Sequence, residues 1–420
     1  MSIETMPNRV AIVGGGAAGL MAAYQASFHG ADVTLFERNQ NLGRKILISG
    51  KGRCNLTNAK DLDEFIQNIP GNGKFLYSAL TRFSNRDLIS FFYGLGVKTK
   101  VERGGRVFPE SDKASDVVRA FENALVETGV KIRYGMRVKE VIAEKGAVKG
   151  LIFYDSEEFF PCDRVIVATG GLSYPSTGST GDGYNIARKL GHTVVEPRPS
   201  LVPLITKEDW VKNLQGLTLK NVEVTAYCQG RKLYCEFGEM LFTHYGVSGP
   251  IILTISRSVV DHIEKGVILS INLKPALDRE RLENRLKRDF QKYSRKHIKN
   301  ALDDLLPKRL IPVFIDVCRL DPEKPVNQLT REERNIILEK LTDFRVTVIG
   351  CMEKEAIVTR GGVSVKEIDA RTMESKIIKG LYFAGEVIDV DGFTGGYNLQ
   401  AAFSTGYLAG VNAASNDRRG

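Results

Sequence analysis

The stretch Arg9-Val10-Ala11-Ile12-Val13-Gly14-Gly15-Gly16-Ala17-Ala18-Gly19 decides the fold of this chain. Val10 to Val13 read as a short buried strand that runs into a glycine turn and then a helical pattern. Gly14 makes the tight turn, Gly16 lets a pyrophosphate approach the backbone, and Gly19 lets the helix pack close to the sheet. The helix start at Ala17 and Ala18 presents free amides and the positive end of a dipole to phosphate. A second strand, Val33-Thr34-Leu35-Phe36, ends at Glu37, 23 residues after Gly14. A carboxylate there can accept from a ribose hydroxyl, with Arg38 beside it as a further contact. Strand, helix, second strand and terminal acid stand in order, so a bound dinucleotide is expected.

Bulk properties place this motif in a large soluble enzyme. The chain has 420 residues, enough for roughly two or three domains with a sizeable core. No apolar run approaches the ~20 residues that span a bilayer, and Met1 to Asn8 lacks the basic start and apolar core of a secretion leader. Cys54, Cys162, Cys228, Cys235, Cys318 and Cys351 form no C-x-x-C pair, so neither a metal site nor a disulfide scaffold is expected, and the reduced cytoplasm is the default location. The formal charge of +9 is consistent with a polyanionic partner and equally with a basic soluble protein.

Further segments belong with the first motif. A helical stretch, Lys113 to Glu127, leads to a strand at Val130 to Tyr134 and to a hairpin from Val138 to Phe160, with Val138 as a cofactor contact. Arg164 to Val167 is a buried strand entering the turn Ala168-Thr169-Gly170-Gly171. Gly380 to Glu386 is again strand then glycine turn, followed by a helix from about Asn398 to Ala414. Between Pro197 and about Lys354 the character changes. Val222 to Phe237 alternates around Gln229-Gly230, a hairpin signal, and Asp278 to Leu305 and Arg331 to Thr342 read as helices. The expected organisation is an α/β Rossmann-like domain, residues 1–195 and 355–420, interrupted by an inserted β-barrel-like plus helical domain, residues 196–354, whose helical part spans about 278–343.

The cofactor segments resemble those of two-dinucleotide-binding-type flavoproteins, in which FAD stays bound. Ala168, Thr169, Gly170 and Gly171 fit one of that group's turns. Ala384-Gly385-Glu386 fits the late strand end that holds the ribityl chain, with Glu386 in place of the usual Asp. No second G-x-G-x-x-G follows a strand, so NADH or NADPH is expected as a transient reductant. In Gly392-Phe393-Thr394-Gly395-Gly396-Tyr397-Asn398-Leu399, glycine turns open the last helix. Gly396, Asn398 as its cap, and Leu399 are therefore expected at the flavin, because the first helix amides need an acceptor and a helix N-terminus favours a nearby anion by roughly 0.3–2 kcal/mol.

The stretch Gly43-Arg44-Lys45-Ile46-Leu47-Ile48-Ser49-Gly50-Lys51-Gly52-Arg53-Cys54-Asn55-Leu56-Thr57-Asn58 is too unusual for a generic loop. It resembles a bacterial family of NAD(P)/FAD-dependent oxidoreductases that includes the 23S ribosomal RNA dihydrouridine synthase and a bile-acid ene-reductase. The resemblance continues through Arg106 to Pro109, Phe242 to Pro250, Thr359 to Val363 and Gly385 to Gly392, and so covers nearly the whole chain. It implies reduction of a carbon–carbon double bond conjugated to a carbonyl: hydride from reduced FAD to the β-carbon and a proton from an acid to the α-carbon. In uridine these are C6 and C5, giving 5,6-dihydrouridine, and a base in folded RNA must be unstacked to react.

By analogy with other FAD proteins, the Gly43–Asn58 loop passes the pyrophosphate and the flavin ring. Lys45 and Arg53 are expected to neutralise charge there, with Ser49, Gly50, Gly52 and Asn55 giving polar contacts. Cys54 is a candidate proton donor or redox thiol; the alternative is a buried structural cysteine. His244 and Tyr245, in a Gly/Ser/Pro-rich turn, are the other acid candidates; the alternative is a structural turn. Asp389 and Asp391 lie near the flavin turn, where Asp commonly serves local hydrogen bonding.

From Arg279 to Arg309 eleven basic residues face five acidic ones. Arg285, Arg288, Lys292, Arg295, Lys296 and Lys299 are the candidate RNA contacts, since concentrated positive charge on an exposed helix suits phosphate; a solvated helix face is the plainer account. The expected partner is 23S ribosomal RNA or a ribosome-assembly intermediate. Two other readings stay open: an ene-reductase of steroid-like enones, and a flavin-containing RNA-binding assembly protein.

Overall fold

The computed structural model describes residues 7–156 and 158–415; the Met1–Asn8 stretch read for a leader lies mostly outside them. Two compact units emerge, Met1–Pro199 with Ile357–Gly420, and Ser200–Ala356.

The first unit is built on a five-stranded parallel sheet. Its order is Leu381–Phe383, Arg164–Val167, Arg9–Val13, Asp32–Glu37, Lys131–Tyr134. The Val10–Val13 run is fully apolar because both faces of a parallel sheet are covered, and all four residues are buried. The chain leaves Arg9–Val13 for the strand on one side and later returns to the other side, so the order reverses between Arg9–Val13 and Arg164–Val167. A crevice outside the carboxyl ends of such a pair is where open α/β sheets bind ligands.

Small residues bring the helix Ala17–Phe28 against the C-terminal helix Tyr397–Ala414. A Cβ on Gly406 would lie 2.3 Å from the Ala18 carbonyl oxygen, and one on Gly410 would lie 2.5 Å from that of Ala22. Glycine at two positions four apart is what lets the backbones meet. Phe92, Phe121 and Phe403 close the core beside them, with Phe121 and Phe403 stacked at 5.9 Å.

The second unit is a closed six-stranded barrel, Leu204–Thr206, Gly246–Ser248, Arg231–Phe242, Thr218–Cys228, Val267–Asn272 and Phe344–Cys351. The hairpin turns at Gln229-Gly230, both left-handed at φ 49° and 79°, the backbone that a two-residue hairpin needs. Val267, Leu269 and Ile271 alternate inward. They share one core with Phe242 and Phe344 and with Leu286, Phe314 and Leu338 from three helices.

The helix expected over Asp278–Leu305 is shorter than its pattern. It runs Arg279–Lys292, capped by Asp278, whose carboxylate accepts from the Arg281 amide at 2.8 Å. Beyond Tyr293 the backbone is captured by another segment: Ile298 N donates to Lys324 O, and Val326 N to Lys296 O, both at 3.0 Å. Arg295 and Lys296 therefore stand in the turn after the helix, and Lys299 in the short 3-10 helix Ile298–Asn300 beyond it. No glycine or proline marks that stop, so local sequence could not show it.

Candidate cofactor site

The three motif glycines have different physical reasons. Gly14 has φ +103°, and a Cβ there would lie 2.7 Å from the Ala168 carbonyl oxygen. A Cβ on Gly19 would lie 1.8 Å from the Gly14 carbonyl oxygen. Protein atoms explain both. At Gly16 nothing lies within 4 Å of where a Cβ would stand. Gly16 also caps the first helix with no side-chain hydrogen bond, so that first turn offers amides to an outside acceptor. A cradle of this form fits a pyrophosphate.

Glu37 stands at the end of the second strand and is buried. Its carboxylate accepts from the Gly15 amide at 2.8 Å, the Asn39 amide at 2.8 Å and Asn39 Nδ2 at 2.6 Å. It thus ties the glycine turn to the second strand end, and Val138, buried at the start of its strand, lies just past Met136, whose amide donates to Glu37 O. Arg38 turns instead to Thr180 Oγ1 at 2.5 Å and Asp182 at 3.2 Å.

The cationic contacts expected from the Gly43–Asn58 loop are redirected. Lys45 Nζ donates to Ser173 Oγ at 2.5 Å and pairs with Glu386. Arg53 is gripped by Glu102 and by Asp112 and stacks over Phe108 at 4.1 Å; it holds Glu102 below the ordinary carboxylate range, and Lys100 and then Arg53 do the same for Asp112. Arg38, Lys45 and Arg53 each already have a carboxylate partner, and the Gly14 and Gly15 amides are bonded to Phe36 O and Glu37, so the groups here that fit a phosphate are the first helical amides after Gly16.

The loop itself is wound left-handed. Gly50, Lys51, Gly52 and Cys54 have φ of 56°, 60°, 84° and 61°. For Lys51 and Cys54 that backbone is costly, and the ion-paired Arg53 between them holds it. Cys54 is fully buried, and burial pushes its thiol up to about 12. That disfavours the reactive thiolate and so supports the buried structural cysteine over the redox thiol. Ser49 likewise turns inward to the Ile46 carbonyl at 2.7 Å. Asn55 differs, for its Oδ1 is buried with no hydrogen-bond partner, and a buried acceptor without a donor is costly. Together with the open Gly16 cradle, it fits a polar group supplied by a ligand.

The Ala168–Gly171 turn follows the Arg164–Val167 strand as expected. Thr169 Oγ1 is a second buried oxygen without a partner. A Cβ on Gly170 would meet Ser179 Oγ at 2.7 Å, and one on Gly171 would meet Thr359 Oγ1 at 2.5 Å. Glu386 is drawn into a network that the sequence reading missed. Ser173 Oγ and the Thr359 amide both donate to Glu386 Oε1 at 2.8 Å, while Thr359 Oγ1 accepts from the Leu172 and Ser173 amides at 2.7 and 3.0 Å. Segments around residues 45, 173, 359 and 386 are thereby locked together. The dense turn residues from Gly170 to Gly181 were the signal for Ser173. Tyr184, beside this network, has a buried hydroxyl with no partner, and burial first, then Glu386 and Asp389, drives its pKa up.

At the C-terminal turn the cap is Gly396, left-handed at φ +100° and 2.3 Å from the Thr57 carbonyl oxygen at its Cβ position. Asn398 is not the cap. Its side chain exchanges hydrogen bonds with Gly392, accepting from N and donating to O at 2.8 Å each, because it already sits in the first helical turn. Asn58 Nδ2 donates to the Gly395 carbonyl at 3.0 Å, which brings this turn to the end of the Gly43–Asn58 loop. Leu399 lies in the same uncapped first turn. Asp391 is buried beside Gly71, whose amide donates to Asp391 O at 3.0 Å.

In the second unit, Tyr245 donates its hydroxyl to Glu355 at 2.9 Å. Burial and that carboxylate push its pKa up to about 12. His244 is exposed, with its ring edge-on to Tyr245 at 4.7 Å. Of the basic residues singled out, Arg285 pairs with Asp289 at 2.8 Å, Lys292 with Asp304 at 3.1 Å, and Lys299 with Glu323. No helix among the described residues is long and apolar enough to cross a membrane.

Comparison with known proteins agrees with this architecture. The chain is 35% identical over 413 residues to the 3-dehydro-bile acid delta(4,6)-reductase of Clostridium scindens, covering 97% of this chain and 99% of that protein. It is 34% identical over 402 residues to the ribosomal RNA dihydrouridine synthase of Escherichia coli, covering 94% and 95%. Among solved structures, the open conformation of a flavocytochrome c3 fumarate reductase matches at a TM-score of 0.52 and 18% identity, over 97% of this chain and 78% of that one. A 3-ketosteroid-Δ4-(5α)-dehydrogenase from Rhodococcus jostii RHA1 matches at 0.52 and 16%, over 99% of each. These likenesses show the fold: a Rossmann-like FAD-binding flavoprotein with an inserted small barrel. The model of the HI0933-like protein Rossmann domain matches residues 8–412, and the chain belongs to that family of flavin oxidoreductases.

Proposed function

We propose that this protein reduces the C5=C6 bond of a uridine in 23S ribosomal RNA to 5,6-dihydrouridine, using FAD that NADH or NADPH reduces. Bound FAD supplies the hydride chemistry. The residues proposed to hold it are Gly14, Gly16, Ala17, Ala18 and Gly19 at the pyrophosphate, Glu37 at the ribose, and Asn55, Thr169 and the Gly396–Leu399 turn as polar contacts. The Lys45–Glu386–Ser173–Thr359 network positions the loop rather than neutralising phosphate. Tyr245 keeps its proton at neutral pH, as a group proposed to supply one to carbon must, and Glu355 orients that hydroxyl. His244, exposed beside it, is the second acid proposed.

The observation that carries the RNA reading is the charge of the Arg279–Arg309 segment. Between Arg279 and Arg309 eleven basic residues outnumber five acidic ones, and a steroid-like enone gains nothing from that surplus. Near-full-length similarity to a protein named ribosomal RNA dihydrouridine synthase supports it. Mapping dihydrouridine by mass spectrometry in 23S ribosomal RNA from deletion and complemented cells tests it: the modification disappears in the deletion and returns with the wild-type gene. Unchanged modification in the deletion strain overturns the proposal. A second reading, reduction of a small enone, is favoured by equal similarity to the bile-acid reductase. Steady-state reduction of a steroid enone by purified protein without RNA would select it.

A further inference from the structure

The six candidate cations of the inserted unit are not equivalent. Arg285, Lys292 and Lys299 are each held by an acid of the same unit, namely Asp289, Asp304 and Glu323. Asp304 also accepts from the Tyr293 hydroxyl at 2.6 Å, and Glu323 also faces His297 at 2.9 Å. Arg288, Arg295 and Lys296 are exposed, and among the described residues no acid lies within ion-pair distance of them. Arg288 stands one helical turn before Lys292, on the same face. Lys292 and Lys296 place their ammonium groups 4.6 and 4.5 Å from the Tyr293 ring. The face therefore continues from the last helical turn through Tyr293 into the turn after it.

We infer that Arg288, Arg295 and Lys296 form the phosphate-contact face for a single-stranded or looped RNA, while Arg285, Lys292 and Lys299 stay paired with acids of their own unit. The inference rests on the RNA reading above. The reason is the source of the binding energy. A free cation releases condensed counterions when it meets a phosphate. A cation already paired must give up its carboxylate and leave that carboxylate facing the incoming phosphate, so its net gain is small. The turn after Tyr293, fixed by the pairing of Lys296 and Ile298 with Val326 and Lys324, carries Arg295 and Lys296 off the helix spiral.

The probe is a fluorescein-labelled RNA hairpin with a uridine-rich loop, titrated by anisotropy with the FAD-loaded protein over a series of KCl concentrations. Arg288→Ala/Arg295→Ala/Lys296→Ala weakens binding about tenfold or more at low salt. It also flattens the slope of log K against log salt by about 2, three contacts at roughly 0.7 each. The charge-neutral variant Lys292→Gln/Asp304→Asn/Lys299→Gln/Glu323→Gln stays within about twofold of wild type in both quantities. FAD content and far-UV circular dichroism confirm that both variants fold. Wild-type affinity and slope in the triple variant overturn the inference, as does equal loss in both variants. Loss of adsorption to phosphatidylglycerol vesicles with RNA binding intact reassigns the face to a membrane surface and overturns it too. A wild-type protein that does not bind the hairpin removes the RNA reading itself, a failure distinct from the others.

Discussion

The two units differ in how the basic residues singled out in each are used. In the first, glycines sit where a backbone must turn or touch another backbone, and charges are spent internally: Arg38, Lys45 and Arg53 all face carboxylates. In the second, a barrel supplies the core and unpaired cations stand in solvent. A site for a tightly held, flat cofactor needs rigid backbone amides that water cannot rearrange. A surface for a long flexible polyanion needs mobile charge that solvent can release. The contrast teaches that the basic residues singled out nearest the dinucleotide motif all face carboxylates, whereas in the second unit Arg288, Arg295 and Lys296 stand exposed without an acid partner among the described residues.

The largest effect is expected from Gly19→Val, which forces side-chain atoms into the Gly14 carbonyl region. Soluble expression and FAD content should both be lost; a folded, yellow Gly19→Val protein would break the packing account. Next is Phe242→Ala in the barrel core. Phe242 is fully buried, so the change should cost about 3–5 kcal/mol of the inserted unit's stability by urea unfolding. If that unit is an independent store of stability, FAD should still be held after the barrel transition. Simultaneous loss of flavin and barrel signal would show the two units unfolding as one.

Gly16→Ala sharpens the comparison within the motif. Gly16 has an ordinary φ of −85° and open space at its Cβ position. The FAD-free protein should keep its melting temperature, while FAD binds about tenfold more weakly by flavin fluorescence, roughly 1.4 kcal/mol. A drop in apoprotein stability with unchanged affinity would mean the cradle is closed by protein.

Two smaller effects test buried groups outside the proposed chemistry. His192 is buried, with Nε2 2.9 Å from Ser375 Oγ, Nδ1 3.3 Å from Glu367, and Phe383 edge-on at 4.9 Å. Burial lowers its pKa below 6.5 despite Glu367. The unfolded chain therefore binds the proton more readily, and the stability that neutral His192 contributes is full above about pH 6.5 and lost as pH falls below it. Melting temperature should drop by a few degrees on acidification in wild type and less so in His192→Gln; identical profiles would refute the assignment. Smallest is Cys54→Ala. With the thiol buried and raised to about 12, turnover should stay within about threefold, about 0.7 kcal/mol. A hundredfold loss would restore Cys54 to the chemistry.

Much of the first unit was legible because its signals are local. The Arg9–Gly19 motif, the strand ending at Glu37, the Ala168–Gly171 turn and, in the second unit, the Gln229-Gly230 hairpin each depend on residues adjacent in sequence. The failures have a common cause in pairings between distant segments. Arg53 could not be assigned to Glu102 and Asp112, nor Lys45 to Glu386 341 residues away, because charge in sequence carries no direction. Asn398 looked like a cap until the structure placed Gly396 there, and the Asp278–Leu305 pattern ran past a stop imposed by residues 322–326.

Sequence alone determined that the chain turns sharply at Gly14, opens a helix at Ala17, and ends its second strand in an acid, since backbone conformation and side-chain alternation are set by near neighbours. Only the tertiary structure decided which charges are free, which polar atoms lack partners, and which thiol is sealed. Those properties depend on burial and on what lies within a few ångströms in space, and chain order does not encode that distance.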